Sequence, residues 1–293
     1  MATQDERRQV AEKAIGEIAH IATLPEITMK IIELVEDPTS TAQDLHEVIS
    51  QDPALSTRIL KVVNSSFYGL PGQIASINRA IVMLGLNAVK NIAIAASLVK
   101  LFRGGDLTPT FSARTMWDHA TATAGTAKLV SDKLKLGLND EAYLAGLMHN
   151  IGLVVEMQYD RARMVDMIKQ TGIDAMGVPA NDMLRAEDQV FGANHQDFGE
   201  ALCVRWKFPK SFAMVTGYHH RPLELGEENR TLASVIYVAT RIIGMSEGGI
   251  RADLVSLDFD ADVLEFLKIT GETLDKLQEM FETHVKTSED LAA

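Results

Sequence analysis

The stretch Gly146-Leu147-Met148-His149-Asn150-Ile151-Gly152 sets a histidine beside an asparagine inside an apolar run. An imidazole followed by a carboxylate would make two metal ligands, and the amide of Asn150 is the uncharged isostere of aspartate. Four further histidines, His119, His195, His219 and His220, also lie at the ends of apolar segments. Imidazole is the commonest neutral metal ligand, so five rings from four helices could converge on one or two ions. Spacing alone does not show convergence. For any one histidine, a partly buried ring bonded to backbone is the simpler reading, and neighbours such as His219 and His220 point about 100° apart on a helix. The single cysteine, Cys203, sits among Ala201, Leu202 and Val204 and reads as a packed thiol. With one cysteine there is no internal disulfide and no cysteine-built zinc site. No Gly-rich phosphate loop and no serine elbow occur.

The composition fits a globular chain with a sizeable core, because 46% hydrophobic and 23% charged residues are the ordinary proportions. No apolar run approaches the ~20 residues of a membrane span, and the charged N-terminus shows no secretory signal. The cytoplasm is the expected compartment. A formal charge of −12 counts against nucleic-acid binding, which draws most of its affinity from Lys and Arg.

The elements that must position these side chains are helical. Apolar residues recur at three- and four-residue spacing, as in Ile15, Ile18, Ile21 and again in Ile27, Ile31, Leu34, Val35. Asp52-Pro53 reads as a helix start, with Asp52 as cap and Pro53 in the first turn. Gly85 interrupts the helix that begins at Ile77. Arg79 and Lys90 are too few cations for that pair of helices to read DNA. Phe67 and Tyr68 in Asn64-Ser65-Ser66-Phe67-Tyr68-Gly69 read as packing at a helix end. Residues 102–110, with two glycines and a proline, are the clearest linker. Helices are then expected over 111–135, 140–158, 160–171, 183–191, 195–206 and 230–245, with two more near the C-terminus. The fold class is all-α, a two-lobed helical bundle divided into residues 1–105 and 106–293.

Four segments occur in order: WDHATATAGTAKLV, EAYLAGLMHNIG, NHQDFGEALCVRWKFP and TGYHHRP. Together they resemble the HD superfamily of metal-dependent phosphohydrolases, whose cyclic-dinucleotide phosphodiesterase branch adds histidines matching His195, His219 and His220. The earlier segments LPEITMKIIELVEDP, LHEVISQDPALSTRILKVVNSSFYG and INRAIVMLGLNAVKNIAI resemble the HDOD family, the HD-related output domain of bacterial signalling proteins. The resemblance covers roughly residues 15–245. It implies a metal site at His119, His149, Asn150, His195, His219 and His220, holding at most one divalent ion (iron, zinc, nickel or manganese).

The chain departs from that pattern at its carboxylates. Asn150 replaces the aspartate of the His-Asp pair, Thr240 stands where related chains carry the last aspartate, and Thr115 lies one turn before His119 in place of an acid. The Gly-Tyr-Pro loop after the double histidine is absent. Asp118 and Asp197 are close in sequence to site residues but turned away by the helix. Two close dications need anionic ligands, so the imidazoles alone do not support a binuclear hydrolase. The expected function is therefore a non-catalytic signalling protein with a degenerate HD site that binds a protein partner or a small ligand, with a groove near residues 102–120, the partner surface unassigned and homodimerisation left open. The competing expectation is a metal-dependent phosphohydrolase acting on a nucleotide or cyclic dinucleotide.

Overall fold

The computed structural model describes residues 3–18, 26–64, 70–102, 104–246 and 251–290. Contacts divide the chain into two units, residues 23–101 and residues 1–22 with 102–293. The Ser65–Gly69 segment with Phe67 and Tyr68 lies outside the described residues.

The smaller unit contains α2 (Glu26–Glu36), α3 (Ala42–Ser50), α4 (Pro53–Val63), α5 (Ile77–Leu84) and α6 (Leu86–Leu98); α1 belongs to the other unit. Its starts follow from the local sequence. Asp52 accepts from the Leu55 N–H at 2.9 Å ahead of Pro53, and Thr41 with Asp44 forms a capping box for α3. Gly85, at φ +90°, separates α5 from α6, a backbone conformation that a side chain adopts only under strain. Helix α6 is buried nearly all round, through Val89, Ile92, Ile94 and Leu98. Lys90 is 3% exposed and donates to the Leu34 carbonyl and the Ser40 hydroxyl. It closes the last turn of α2, so it is not available to a phosphate backbone.

The larger unit begins with α1 (Gln4–Glu17) and resumes after residue 101. The assignment of residues 1–105 to one lobe therefore differs from the structure at its first helix. The reason is local: Ala11, Ala14 and Ile15 form a small, fully buried stripe that packs on α12 (His195–Arg205) and α9 (Ile151–Tyr159), and Arg7 pairs with Asp197 at 3.5 Å. The expected linker is in part a hairpin, β1 (Asp106–Thr108) antiparallel to β2 (Phe111–Ser112). Ser112 then caps α7 (Ala113–Lys133), whose stripe Met116, Ala120, Thr123, Ala127 and Val130 is buried.

Helix α7 packs on α8 (Asn139–Met148) and on α14 (Glu227–Met245). Helices α10 (Arg161–Thr171) and α11 (Met183–Phe191) pair with each other, and α12 lies between α9 and α13 (Lys210–Tyr218). Helices α15 (Ala261–Phe266) and α16 (Gly271–Asp290) follow. The class is all-α, as expected; β1 and β2 are the only strands among the described residues. No helix among these residues is long and apolar enough to cross a membrane.

Candidate metal centre

The continuous helix expected over 140–158 is two helices, and the break falls at His149-Asn150. His149 closes α8 by turning its Nδ1 back onto the Gly146 carbonyl at 2.7 Å. His119 comes from the middle of α7, and its Nε2 lies 3.3 Å from that of His149. His195 is the first residue of α12. His219 ends α13, where its Nδ1 meets the carbonyls of Val215 and Thr216, both at 3.2 Å. The Nε2 of His195 lies 3.4 Å from that of His219 and 3.1 Å from that of His220. All five imidazoles thus come together. Their rings follow one another as His119, His149, His219, His195, His220, with centroid separations of 5.2, 5.2, 5.4 and 5.2 Å.

The structure adds a residue that sequence reasoning missed. Asp253, in the segment after α14, reaches into the same interior and is 5% exposed. Its Oδ2 accepts from the Asn150 side-chain amide at 3.0 Å and lies 3.4 Å from His220 Nε2. The expectation that this site lacks every carboxylate is therefore corrected. Thr240 does not coordinate; its hydroxyl donates to the Tyr237 carbonyl. The acid comes from further along the chain, on a segment held by Arg241 donating to the Asp258 carbonyl at 3.0 Å and by the Arg251 N–H donating to Gly177 at 3.3 Å. No periodicity or spacing marks Asp253 within Arg251-Ala252-Asp253-Leu254, so no signal in the sequence pointed to it. Asp118 and Asp197 stay out of the site as expected. The first pairs with Arg114 on the exposed side, and the second caps α12 and meets Arg7.

A second acid stands behind the rings. Glu187 of α11 accepts from the His195 backbone N–H at 3.0 Å and meets its Nδ1 at 2.9 Å, the outer-sphere arrangement that orients a metal-binding imidazole. Burial pushes the carboxyls of Glu187 and of the neighbouring Glu156 well up from the usual range. Burial also lowers His149 to about 3 and holds His195, His219 and His220 below their ordinary values, so the rings are neutral at neutral pH. Burial opposes the ionised form of Asp253 too. The hydrogen bond with His220 heads the interactions that outweigh it and hold that carboxyl well below the usual range.

The donor set fits a divalent transition metal. The carbonyls facing Nδ1 of His149 and His219 can only accept, so each ring donates there and turns its Nε2 lone pair inward. Two groups result, His195–His219–His220–Asp253 and His119–His149–Asp253, and within each the ligand atoms lie within 4.8 Å of one another. Two nitrogens each ~2.1 Å from one ion and ~90–110° apart would be separated by ~3.0–3.4 Å, which brackets the separations around His195. Three imidazoles and a carboxylate suit zinc, iron, nickel or manganese.

Close backbone approach sets the position of His195. A Cβ on Gly152 would stand 1.9 Å from the His195 carbonyl oxygen. Gly152→Ala must push α9 and α12 apart, which we expect to cost at least the ~1–3 kcal/mol of ordinary overpacking and to lower metal content with it. Thermal melting and elemental analysis of the variant check both. Cys203 is a packed thiol, as read from the sequence: it is fully buried, and burial pushes it up to about 12.

Residues 21–222 match the model of the HDOD domain. Over 95% of this chain, an uncharacterised protein of Treponema pallidum (strain Nichols) is 27% identical, and the chain spans 53% of that relative's length. Among solved structures, a protein of Marinobacter aquaeolei VT8 provisionally named for signal transduction is similar at 21% identity and TM-score 0.76, over 98% of this chain and 64% of that one. A protein of Shewanella amazonensis SB2B provisionally named a phosphohydrolase is similar at 21% identity and TM-score 0.70, over 92% and 93%. At these identities the structural likeness establishes the fold.

Proposed function

Because the chain belongs to the HDOD family, we propose that it is a bacterial signalling protein that holds a divalent transition-metal ion and works by binding a partner, without turnover. One observation carries the metal half of this reading. The carbonyl-locked lone pairs of His149 and His219 are aimed into one buried interior beside the ionised Asp253, and a cation is the partner that serves all three at once. The other half rests on charge. In the ligand groups one carboxylate serves five neutral rings, and Asn150 and Thr240 supply none. A hydrolytic pair of dications would be poorly neutralised there.

The competing reading, a metal-dependent phosphohydrolase, draws on Asp253, which lies within ligand distance of both imidazole groups. The two readings separate in one experiment. Purified protein should carry about one transition-metal ion per chain, and Asp253→Asn should weaken its retention by at least the ~10–100-fold that loss of an outer-sphere partner costs. Nucleotides and cyclic dinucleotides should stay intact in the presence of manganese or iron. Hydrolysis that His149→Ala abolishes would overturn the non-catalytic reading, and metal-free protein that refuses reloading would overturn the metal-binding one.

A further inference from the structure

Helix α1 precedes the stretch that matches the HDOD model, residues 21–222, and forms a cleft with α12 inside the larger unit. The cleft encloses about 310 Å3, at the lower end of the ~300–1,000 Å3 of small-molecule sites. Asp5, Arg8 and Glu12 line it from α1, at spacings of three and four residues that share one helix face. Asp197, Glu200 and Val204 line it from α12 with the same spacing. Tyr218 closes one end, where its hydroxyl accepts from Gln4 Nε2 at 2.9 Å. No candidate metal ligand lines this cleft.

The cleft is short of cations. Among the described residues, four carboxylates line it against one guanidinium, and Arg8 spends its Nε on Glu12 at 2.8 Å. Asp5 and Glu200 have no ion-pair partner among the described residues. Glu200 lies against α13 at Gly217, where a Cβ would stand 2.8 Å from its Oε2, and burial holds its carboxyl above the usual range. Asp197 gives independent evidence of a missing partner. It is 8% exposed, and its Oδ2 accepts from the Asn194 N–H at 3.0 Å. Arg7 stands 3.5 Å from that same oxygen, and its Nε makes no hydrogen bond. Oδ1 accepts nothing among the described residues, although the side chain lines the cleft. A carboxylate oxygen on so buried a side chain calls for a donor.

We propose that this cleft binds a small linear aliphatic amine with two or three ammonium groups. Each ammonium brings three N–H donors to carboxylates that only accept. Asp197 and Glu200 are three residues apart, ~4.5 Å along α12, and Asp5 and Glu12 are seven apart, ~10.5 Å along α1. Ammonium groups separated by a few methylenes can therefore each meet a carboxylate. The methylenes lie on Ala201 and Val204, which give the cleft its apolar surface. A quaternary ammonium fits poorly, because it has no N–H and relies on aromatic faces. Tyr218 is the one aromatic ring lining the cleft among the described residues, and Arg221 already lies over it at 5.1 Å.

Calorimetric titration of the full chain with spermidine should show one saturable site per chain. Diaminobutane should bind there more weakly, and choline should not bind. Glu200→Gln removes a charge at constant shape and should weaken spermidine ~10-fold or more, the worth of one charge-assisted hydrogen bond. Val204→Trp fills the cleft from an exposed position with every charge in place, and should weaken it as much. The two variants change different properties, so a folding defect in one leaves the other to decide. Glu47→Gln, at an exposed acid of the smaller unit, should leave the isotherm as it is. Spermidine binding that survives both cleft variants, or that magnesium at equal charge reproduces, would show diffuse attraction to an acidic surface and overturn the site. A titration without saturation would do the same. Choline that binds as tightly as diaminobutane would overturn the ligand class.

Discussion

Asn150→Asp should make the stability of the fold depend on metal. Asn150 is 8% exposed and donates its side-chain amide to Asp253 at 3.0 Å. An ionised aspartate there has no proton to donate, so the substitution deletes a buried hydrogen bond and sets two carboxylates against each other. The pair must either repel or take up a proton from neutral solution. Leaving a buried charge without its partner costs about 3–5 kcal/mol, a sizeable part of the ~5–15 kcal/mol that holds a domain folded. At roughly 2–4 °C per kcal/mol for a chain of this size, the variant stripped by a chelator should melt ~10 °C below the stripped wild type.

With metal the sign reverses. The same carboxylate supplies the missing anion next to both ligand groups, so the loaded variant should recover most of that loss and retain its ions more tightly than the loaded wild type. Melting curves with and without chelator check this. Equal melting of the two stripped proteins would show that Asn150 does not face Asp253.

The sequence carries the helices well and the site only in part, for physical reasons. Helix starts are local, because a cap such as Asp52 ahead of Pro53 or Thr41 with Asp44 involves residues three apart. Breaks made by backbone conformation, as at Gly85, are also local. The break at His149-Asn150 is not. It lies in an apolar run without Gly or Pro at the break itself, and the turn is held by His149 folding back onto Gly146 while Asn150 reaches across to Asp253.

The hairpin over 106–112 escapes notice because its strands are too short to show alternation. The placement of α1 depends on a small-residue stripe finding α12, a partner some 180 residues away in the chain. The five histidines stand out by residue type, and the resemblance, which carries types and order, groups them into one site. That route could not find Asp253, since the acid lies off the helix where the family pattern puts one. Glu187 escaped for a related reason. Eight residues before His195, it looks like any acidic residue on an amphipathic helix until the turn at Gly192 brings His195 back to it.

Metal-free protein should lose stability as the pH falls from neutral, and the buried rings set the direction. Burial, together with the neighbouring His119, lowers His149 to about 3 in the fold, whereas in the unfolded chain a histidine titrates near ~6.5. Below that value the unfolded chain binds a proton that the folded ring refuses, so the stability from His149 is complete above about pH 6.5 and drains away as the pH falls toward 3. At ~1.4 kcal/mol per pH unit, the full excursion amounts to roughly 5 kcal/mol from this one ring. His195, His219 and His220 are shifted in the same direction by the same burial.

Glu156 and Glu187 act in the opposite sense. Burial raises them well above the usual range, so the fold takes up their protons before the unfolded chain does, and acid relieves a cost instead of adding one. Their contribution runs against that of the four lowered imidazoles, which outnumber them. The melting temperature of chelator-treated protein should therefore drop steeply between about pH 7 and 5. Metal-loaded protein should follow a different course, because protons then compete with the cation for the same Nε2 lone pairs. It should hold its melting temperature to lower pH and then lose it together with its metal. A melting temperature that stays flat across that interval in the stripped protein would show that the rings are hydrated, in contradiction to the buried cluster.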